Sequence, residues 1–363
     1  MRNTIVRKKD MTLVELVVVL SILVAITSVA IVSLDGLSSN SRYSETKRRG
    51  TMALNVVDGP SAEKTGAFVA DLGRLPCVAN TLRGAELAEL FYASDAFSAV
   101  DPTETYAERT FANPDTDWGG AAPGTTFNFS SDTRTIRLQC GWRGPYIQLN
   151  AEKFRDGWGN DWLIKTTGDD TWNGVASWSG TPPLDKTIFG LRSLGKNDKT
   201  DASAVDWENR DTSFSFEESK TSSELTVAVM RVDNSVSPAI PVPVDSSFID
   251  HIRVAVFAPY ITPDGVDSDN VKRILARNDG GSHALSVSPA ADAGFPHFET
   301  LRTPTWSGYH SVTLRGLSPG PRKIYVYGFK NSVAPTNKYG SRLLDLELKP
   351  GHNIVTVYLV EAL

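Results

Sequence analysis

Three groups of residues in this 363-residue sequence have types and spacing suited to chemistry. The first is one carboxylate, Glu15, inside the run Met11–Leu34, MTLVELVVVLSILVAITSVAIVSL, which holds no other charge. If that run lies in lipid, the carboxylate costs on the order of 2–3 kcal/mol, and such residues are usually functional. Its chemistry is ion pairing, because a buried carboxylate wants a cation. The second group is the acidic loop Asn197–Glu208, NDKTDASAVDWE, where Asp198, Asp201 and Asp206 offer oxygens at short intervals. Calcium takes about six to eight oxygens, although the central glycine of an EF-hand is missing here and a solvated loop is the alternative. The third is the pair Cys77 and Cys140. They are a disulfide or two buried thiols, depending on compartment and distance. The five histidines, His251, His283, His297, His310 and His352, are scattered, with none at H-E-x-x-H spacing, and no P-loop occurs. The expectation is a protein that is not an enzyme.

A helix has to carry Glu15. About 20 apolar residues cross a hydrocarbon core, and a helix closes its own backbone hydrogen bonds, as lipid demands. From Leu16 to Leu34 there is no charge, Gly or Pro. Arg2, Arg7, Lys8 and Lys9 stand before the run, and Asp35 and polar residues follow it. That bias puts the N-terminus in the cytoplasm and everything after Leu34 outside. A cleaved secretory signal has a shorter core and a small-residue cleavage site, which Ala30 and Ser33 only mimic. A buried core helix does not explain the basic flank. A plain single-pass anchor does not explain Glu15.

Lys8-Lys9-Asp10-Met11-Thr12-Leu13-Val14-Glu15 resembles the N-terminal motif of type IV pilins and type II secretion pseudopilins. The resemblance implies cleavage by a prepilin peptidase between Asp10 and Met11, and N-methylation of the new Met11 amine. It implies that Glu15 pairs with the amine of a neighbouring subunit as a filament assembles on an inner-membrane platform. Asp10 stands where the family has Gly, and Val32 where many members carry Pro. Three further phrases follow in order: Gly144-Pro145-Tyr146-Ile147, Asp156-Gly157-Trp158-Gly159-Asn160-Asp161-Trp162 and Ser193-Leu194-Gly195-Lys196-Asn197-Asp198. They resemble the GPY, DPWGNPY and SLGxDG phrases of the major pseudopilin, with Gly157 and Asp161 in place of two prolines, which implies a less rigid turn. The family's matching loop binds calcium. That adds Asn197, which replaces its first Asp, to the ligand set of Asp198, Asp201 and Asp206. The family's fold implies a small antiparallel sheet packed on the long helix.

The remaining sequence sets the expected architecture. Net charge is −5, which implies no basic face for nucleic acid. An apolar content of 40% with 8 Trp supports folded cores. Residues 1–10 are a basic leader, and 11–57 a transmembrane helix that extends outside it, weakened at Gly36 and Gly50. Asp58-Gly59-Pro60 stops that helix. Residues 58–215 form a pseudopilin-like domain. In it, a helix capped by Ser61 turns Phe68, Val69 and Leu72 inward and ends at Gly73, and another short helix covers Arg83–Ala93. Residues 94–133 read as a surface excursion tacked down by Phe97, Tyr106 and Trp118. Short strands are expected at Thr135–Gln139, Trp162–Lys165 and Ile188–Leu194. Residues 216–223 are a linker. Residues 224–363 carry strands at Leu225–Val232, Ile252–Ala258, Val271–Arg277, Tyr309–Arg315, Arg322–Phe329, Leu343–Leu348 and Asn353–Val360, an antiparallel sandwich. Its phrase Thr313–Gly320 resembles transthyretin-like and carboxypeptidase-regulatory-like sandwiches. The expected fold class is therefore α+β. The expected function is a structural filament subunit of the bacterial inner membrane; the alternative is a single-pass anchored binding protein that presents its sandwich.

Overall fold

The computed structural model describes residues 13–61, 63–77, 87–91, 107–111, 136–143, 145–148, 154–166, 169–173, 187–200, 206–233, 237–244, 249, 251–259, 271–278, 283–288, 304–308, 310–330 and 337–359. One helix, α1 (Leu13–Val57), runs unbroken for 45 residues, about 70 Å at 1.5 Å per residue. Its character changes along its length. The large apolar side chains described between Leu13 and Leu37 are exposed. Beyond them, Ser39, Thr46, Gly50, Ala53 and Val57 are buried. Those positions recur at helical spacing and are mostly small, so one stripe of the helix lets the rest of the chain come close. The helix stops where expected. The Asp58 N–H still bonds to the Leu54 carbonyl at 2.7 Å, and Gly59 then turns with φ +93°.

The next helix, α2 (Ala67–Leu72), begins six residues after the expected cap at Ser61. Ser61 instead accepts a hydrogen bond from the Lys64 N–H and closes a turn. Phe68, Val69 and Leu72 are buried as expected, and Gly73, left-handed at φ 74°, ends the helix by bonding to the Val69 carbonyl. Leu87, Leu90 and Phe91 also face inward, but Ala88–Leu90 is a 3-10 turn, and residues 83–86, 92 and 93 of the expected helix lie outside the described residues. Within the stretch read as a loop, β1 (Ala107–Phe111) pairs antiparallel with β2 (Ile136–Cys140). Phe97, Tyr106 and Trp118 fall outside the described residues.

Four strands form the sheet nearest α1: β3 (Leu163–Thr166), β4 (Asp169–Asn173), β5 (Ile188–Ser193) and β6 (Thr212–Ser215). Their order is β4-β3-β5-β6, antiparallel throughout. The Phe214 ring of β6 lies so close to Gly50 that a Cβ there would meet it at 2.3 Å. A short helix, α3 (Glu218–Thr221), then leads into the larger β region.

That region comprises β7 (Ser223–Asp233), β8 (Ile240–Pro243), β9 (His251–Pro259), β10 (Val271–Asn278), β11 (His283–Ser288), β12 (Thr305–Ser307), β13 (Ser311–Leu317), β14 (Gly320–Lys330), β15 (Asn337–Leu348) and β16 (Gly351–Leu359). One sheet has the order β11-β10-β9-β14-β15 and the other β12-β13-β7-β16, with β8 also on β7. Val227, Val229, Val254, Val256, Leu314, Ile324, Val326 and Val357 fill the space between them. Among the described residues all the strand pairs are antiparallel except one: β16 runs parallel to β7, Gly351 opposite Ser223 and Leu359 opposite Arg231. This departs from a purely antiparallel sandwich.

The alternate residues of β9 and β14 point the other way. Ala255, Phe257, Tyr325 and Tyr327 share one core with Ala53, Val57, Phe68, Leu72, Leu138, Phe154 and Trp162 from the helix side. The β9–β14 sheet is thus buried on both faces, which is why Val254-Ala255-Val256-Phe257 is apolar at every position. The chain is α+β: one long apolar helix followed by mostly antiparallel sheets.

Candidate functional site

Three hydroxyls on the exposed half of α1 are satisfied within the helix. The hydroxyls of Ser21, Thr27 and Ser28 each donate to the carbonyl four residues back, at 2.7–2.8 Å. Glu15 is an exposed carboxylate in the first helical turn, the end where the helix dipole favours an anion. The helix is long and apolar enough to cross a membrane. Asp10 and Met11 lie outside the described residues.

Below its midpoint α1 is gripped by two loops. The Glu208 carboxylate bonds to Ser39. Trp207 meets Tyr43 edge-on, ring centroids 5.4 Å apart. The Arg42 guanidinium lies 6.0 Å above the Trp158 ring. The Gly157 N–H donates to the Thr46 hydroxyl at 2.9 Å, and Arg49 donates to the Arg155 carbonyl at 2.7 Å. Phe214 then covers Gly50, and the Glu217 N–H reaches Asp58 at 3.0 Å. The loop segments 154–161, 195–200 and 206–209 therefore form a collar at the end of the folded body nearest the apolar span.

Asp156 builds the collar. Its Oδ1 accepts from the Trp158 and Asn160 N–H groups at 2.9 and 2.8 Å, and its Oδ2 from the Ser193 hydroxyl at 2.6 Å. Burial pushes its carboxyl above the ordinary range, with the Ser193, Asn160 and Trp158 hydrogen bonds opposing that shift. The Asn160 amide donates to the Gly195 carbonyl at 2.6 Å. The phrases 156–162 and 193–198, far apart in sequence, are thus bound to each other. At Gly157 the backbone is pressed on α1, where an added Cβ would sit 1.9 Å from the Arg42 carbonyl. Proline there would lose both the N–H and the space. The tight packing on α1, not a stiff ring, holds this turn.

Of the acidic loop, Asn197, Asp198 and Asp206 lie among the described residues. Asn197 accepts from the Lys199 N–H at 3.2 Å. Asp198 adopts a left-handed φ of 52°. Asp206 is exposed at the start of the turn Trp207–Asn209. Asp201 lies outside the described residues, and among those described no cluster of three metal-binding side chains occurs. Cys77 and Cys140 are both buried and stand as separate thiols. Burial pushes the Cys77 thiol up to about 12, which removes it as a nucleophile. Gly316-Leu317-Ser318-Pro319-Gly320 has the G-x-S-x-G spacing of a nucleophile elbow, but it joins two antiparallel strands rather than a strand to a helix, and Ser318 is buried against Arg322.

No family model and no curated protein matches this chain. Among solved structures, a leucine-rich repeat protein from Bacteroides thetaiotaomicron aligns at 10% identity with a TM-score of 0.19. The alignment covers 56% of this chain and 24% of that one, so the chain spans about a quarter of that protein's length. A likeness this slight carries no argument about fold or function.

Proposed function

We propose that this protein is a pilin-like structural subunit that assembles through its N-terminal helix into a secretion pseudopilus or a type IV pilus-like filament. The observation that supports this reading best is the division of α1. Its first half is apolar, exposed and charged only at Glu15, while its second half is the spine of a folded body. A helix made that way has a free half to give to lipid, and later to the equivalent helices of other subunits. In this reading a prepilin peptidase cuts between Asp10 and Met11, and Glu15 meets the new amine of a neighbour on an inner-membrane assembly platform. The body lies on the far side of the membrane from the leader. Calcium at Asn197, Asp198, Asp201 and Asp206 belongs to the same reading, as does a transthyretin-like or carboxypeptidase-regulatory-like sandwich carried outward on the filament.

The test is substitution of Glu15. A buried charge is kept only at a cost, so Glu15→Leu is expected to insert as well as the parent or better, yet to lose filament incorporation. Glu15→Asp, with a shorter reach, is expected to be intermediate. Membrane-fraction blots report insertion, and filament shearing with cross-linking reports assembly. Full assembly of Glu15→Leu would leave a tethered binding protein as the better reading.

A further inference from the structure

The collar lies where a membrane surface would be, and its side chains suit one. From Leu34, the last residue of the uncharged run, Ser39 is five residues on and Tyr43 nine, about 7 and 13 Å along the helix. The headgroup layer is about 5–8 Å deep on each side of the hydrocarbon. The body's first contacts with α1 therefore begin at the outer edge of the headgroups.

Three aromatic side chains, Tyr43, Trp158 and Trp207, cluster there around the helix, and Trp207 is 39% exposed. Arg42 rests over Trp158, and the Lys47 ammonium lies 4.6 Å above the Tyr43 ring. Both cations are exposed, as is Lys199. Nearby Glu45 is held by Arg48 and Arg49, and Glu208 by Lys196. Asp198 and Asp206 share the edge and subtract from its charge. The described cations nearest the span, Arg42 and Lys47, lie over aromatic rings. Aromatic rings with long cationic side chains are the combination that settles at a lipid–water interface.

We infer that the collar is a seat for an anionic phospholipid surface. Arg42, about 12 Å along the helix from Leu34, extends toward the phosphates, Lys47 adds positive charge further out, and Trp158, Trp207 and Tyr43 stand just beyond the headgroups, so the body sits on the bilayer before it leaves for any assembly. The inference depends on the membrane-anchored reading of α1. It does not depend on filament formation.

The experiment uses the full chain in nanodiscs, one set of phosphatidylcholine and one containing phosphatidylglycerol, with backbone amide exchange followed by segment. A cation close to an anionic leaflet is worth a factor of about five. Exchange in 154–161 and 206–209 is therefore expected to slow at least about fivefold in the anionic discs, and the slowing to fade at high salt. Arg42→Gln with Lys47→Gln should abolish it, whereas Arg42→Lys should keep it, which separates charge from packing on Trp158. Equal exchange in both lipids, with residues 16–34 strongly protected, overturns the seat and leaves the anchor intact. Absence of protection in 16–34 overturns the anchor and the seat together.

Discussion

Asp58 sits just past the C-terminus of α1, where the helix dipole favours a cation rather than a carboxylate. Burial pushes its carboxyl up to about 6, against the lowering effect of the Glu217 N–H and the Lys220 charge, with the Glu217 charge adding to the rise. The folded chain thus holds this proton more tightly than the unfolded one. The stability it contributes is complete below the ordinary carboxyl range and is lost as pH rises through about 6. Asp58→Asn keeps an oxygen for the Glu217 N–H without the charge. It is expected to be more stable than the parent by about 1–2 kcal/mol near pH 8, allowing for solvent screening, with the gap closing near pH 4. Urea melts at the two pH values check this, and a gap unchanged between them would count against it. Single residues were legible in sequence to very different degrees. Glu15 was visible because nothing else in its run is charged. Gly157 was not, because its partners Arg42 and Thr46 are more than 100 residues away and its glycine reads locally as a looser turn.

The two glycines of α1 have opposite roles despite equal weakness as helix formers. Gly36 has nothing within 4 Å of an added Cβ, whereas Gly50 carries the Phe214 ring. Gly36→Ala is expected to strengthen the helix by roughly 0.5–1 kcal/mol, and Gly50→Ala to lower the melting temperature by forcing β6 away. Thermal melts in detergent, with amide exchange along α1, distinguish the two. The strands that were read correctly are those with buried apolar residues at alternate positions or throughout, such as β7, β9, β14 and β16. Those missed are β1, β4, β6, β8, β11 and β12, whose sequences AERTF, DDTWN, TSFS, IPVP, HALSVS and TWS give too few apolar positions, or too many prolines, for a pattern to register. The parallel pairing of β16 had no local signal, since register depends on a partner 128 residues away.

The folded part outside the apolar span is held together by more than the 216–223 connection. Phe257, Tyr325 and Tyr327 of the sandwich pack into the core built on α1 and α2. Arg322, fully buried, donates to the carbonyls of Ser318, Pro319, Pro321 and Ala70 and to the Ser318 hydroxyl. Burial pushes its guanidinium down to about 9. The Ala70 bond crosses to α2, and Gly320 lies flat against the same residue. Phe257→Ala is expected to cost about 3–5 kcal/mol. It should speed amide exchange in β5, on the helix side, as well as in β9. Faster exchange confined to the sandwich strands would mean two bodies that unfold separately.

The parallel partnership of β16 with β7 gives the molecule a schedule. Synthesis delivers α1 first, and the helix can enter the bilayer while most of the chain does not yet exist. The sheet that begins at Ser223 stays incomplete until residues 351–359 arrive beside it. Until then, the apolar faces of β7, β13 and β14 have no finished counterpart, and the aromatic side chains of β9 and β14 serve a core still under construction. A contact spanning so much sequence is slow to form and leaves sticky surface waiting. In the membrane-anchored reading proposed above, anchoring early and closing late would keep each unfinished chain fixed at the membrane, apart from its neighbours' exposed edges, for the interval in which it is most prone to aggregate.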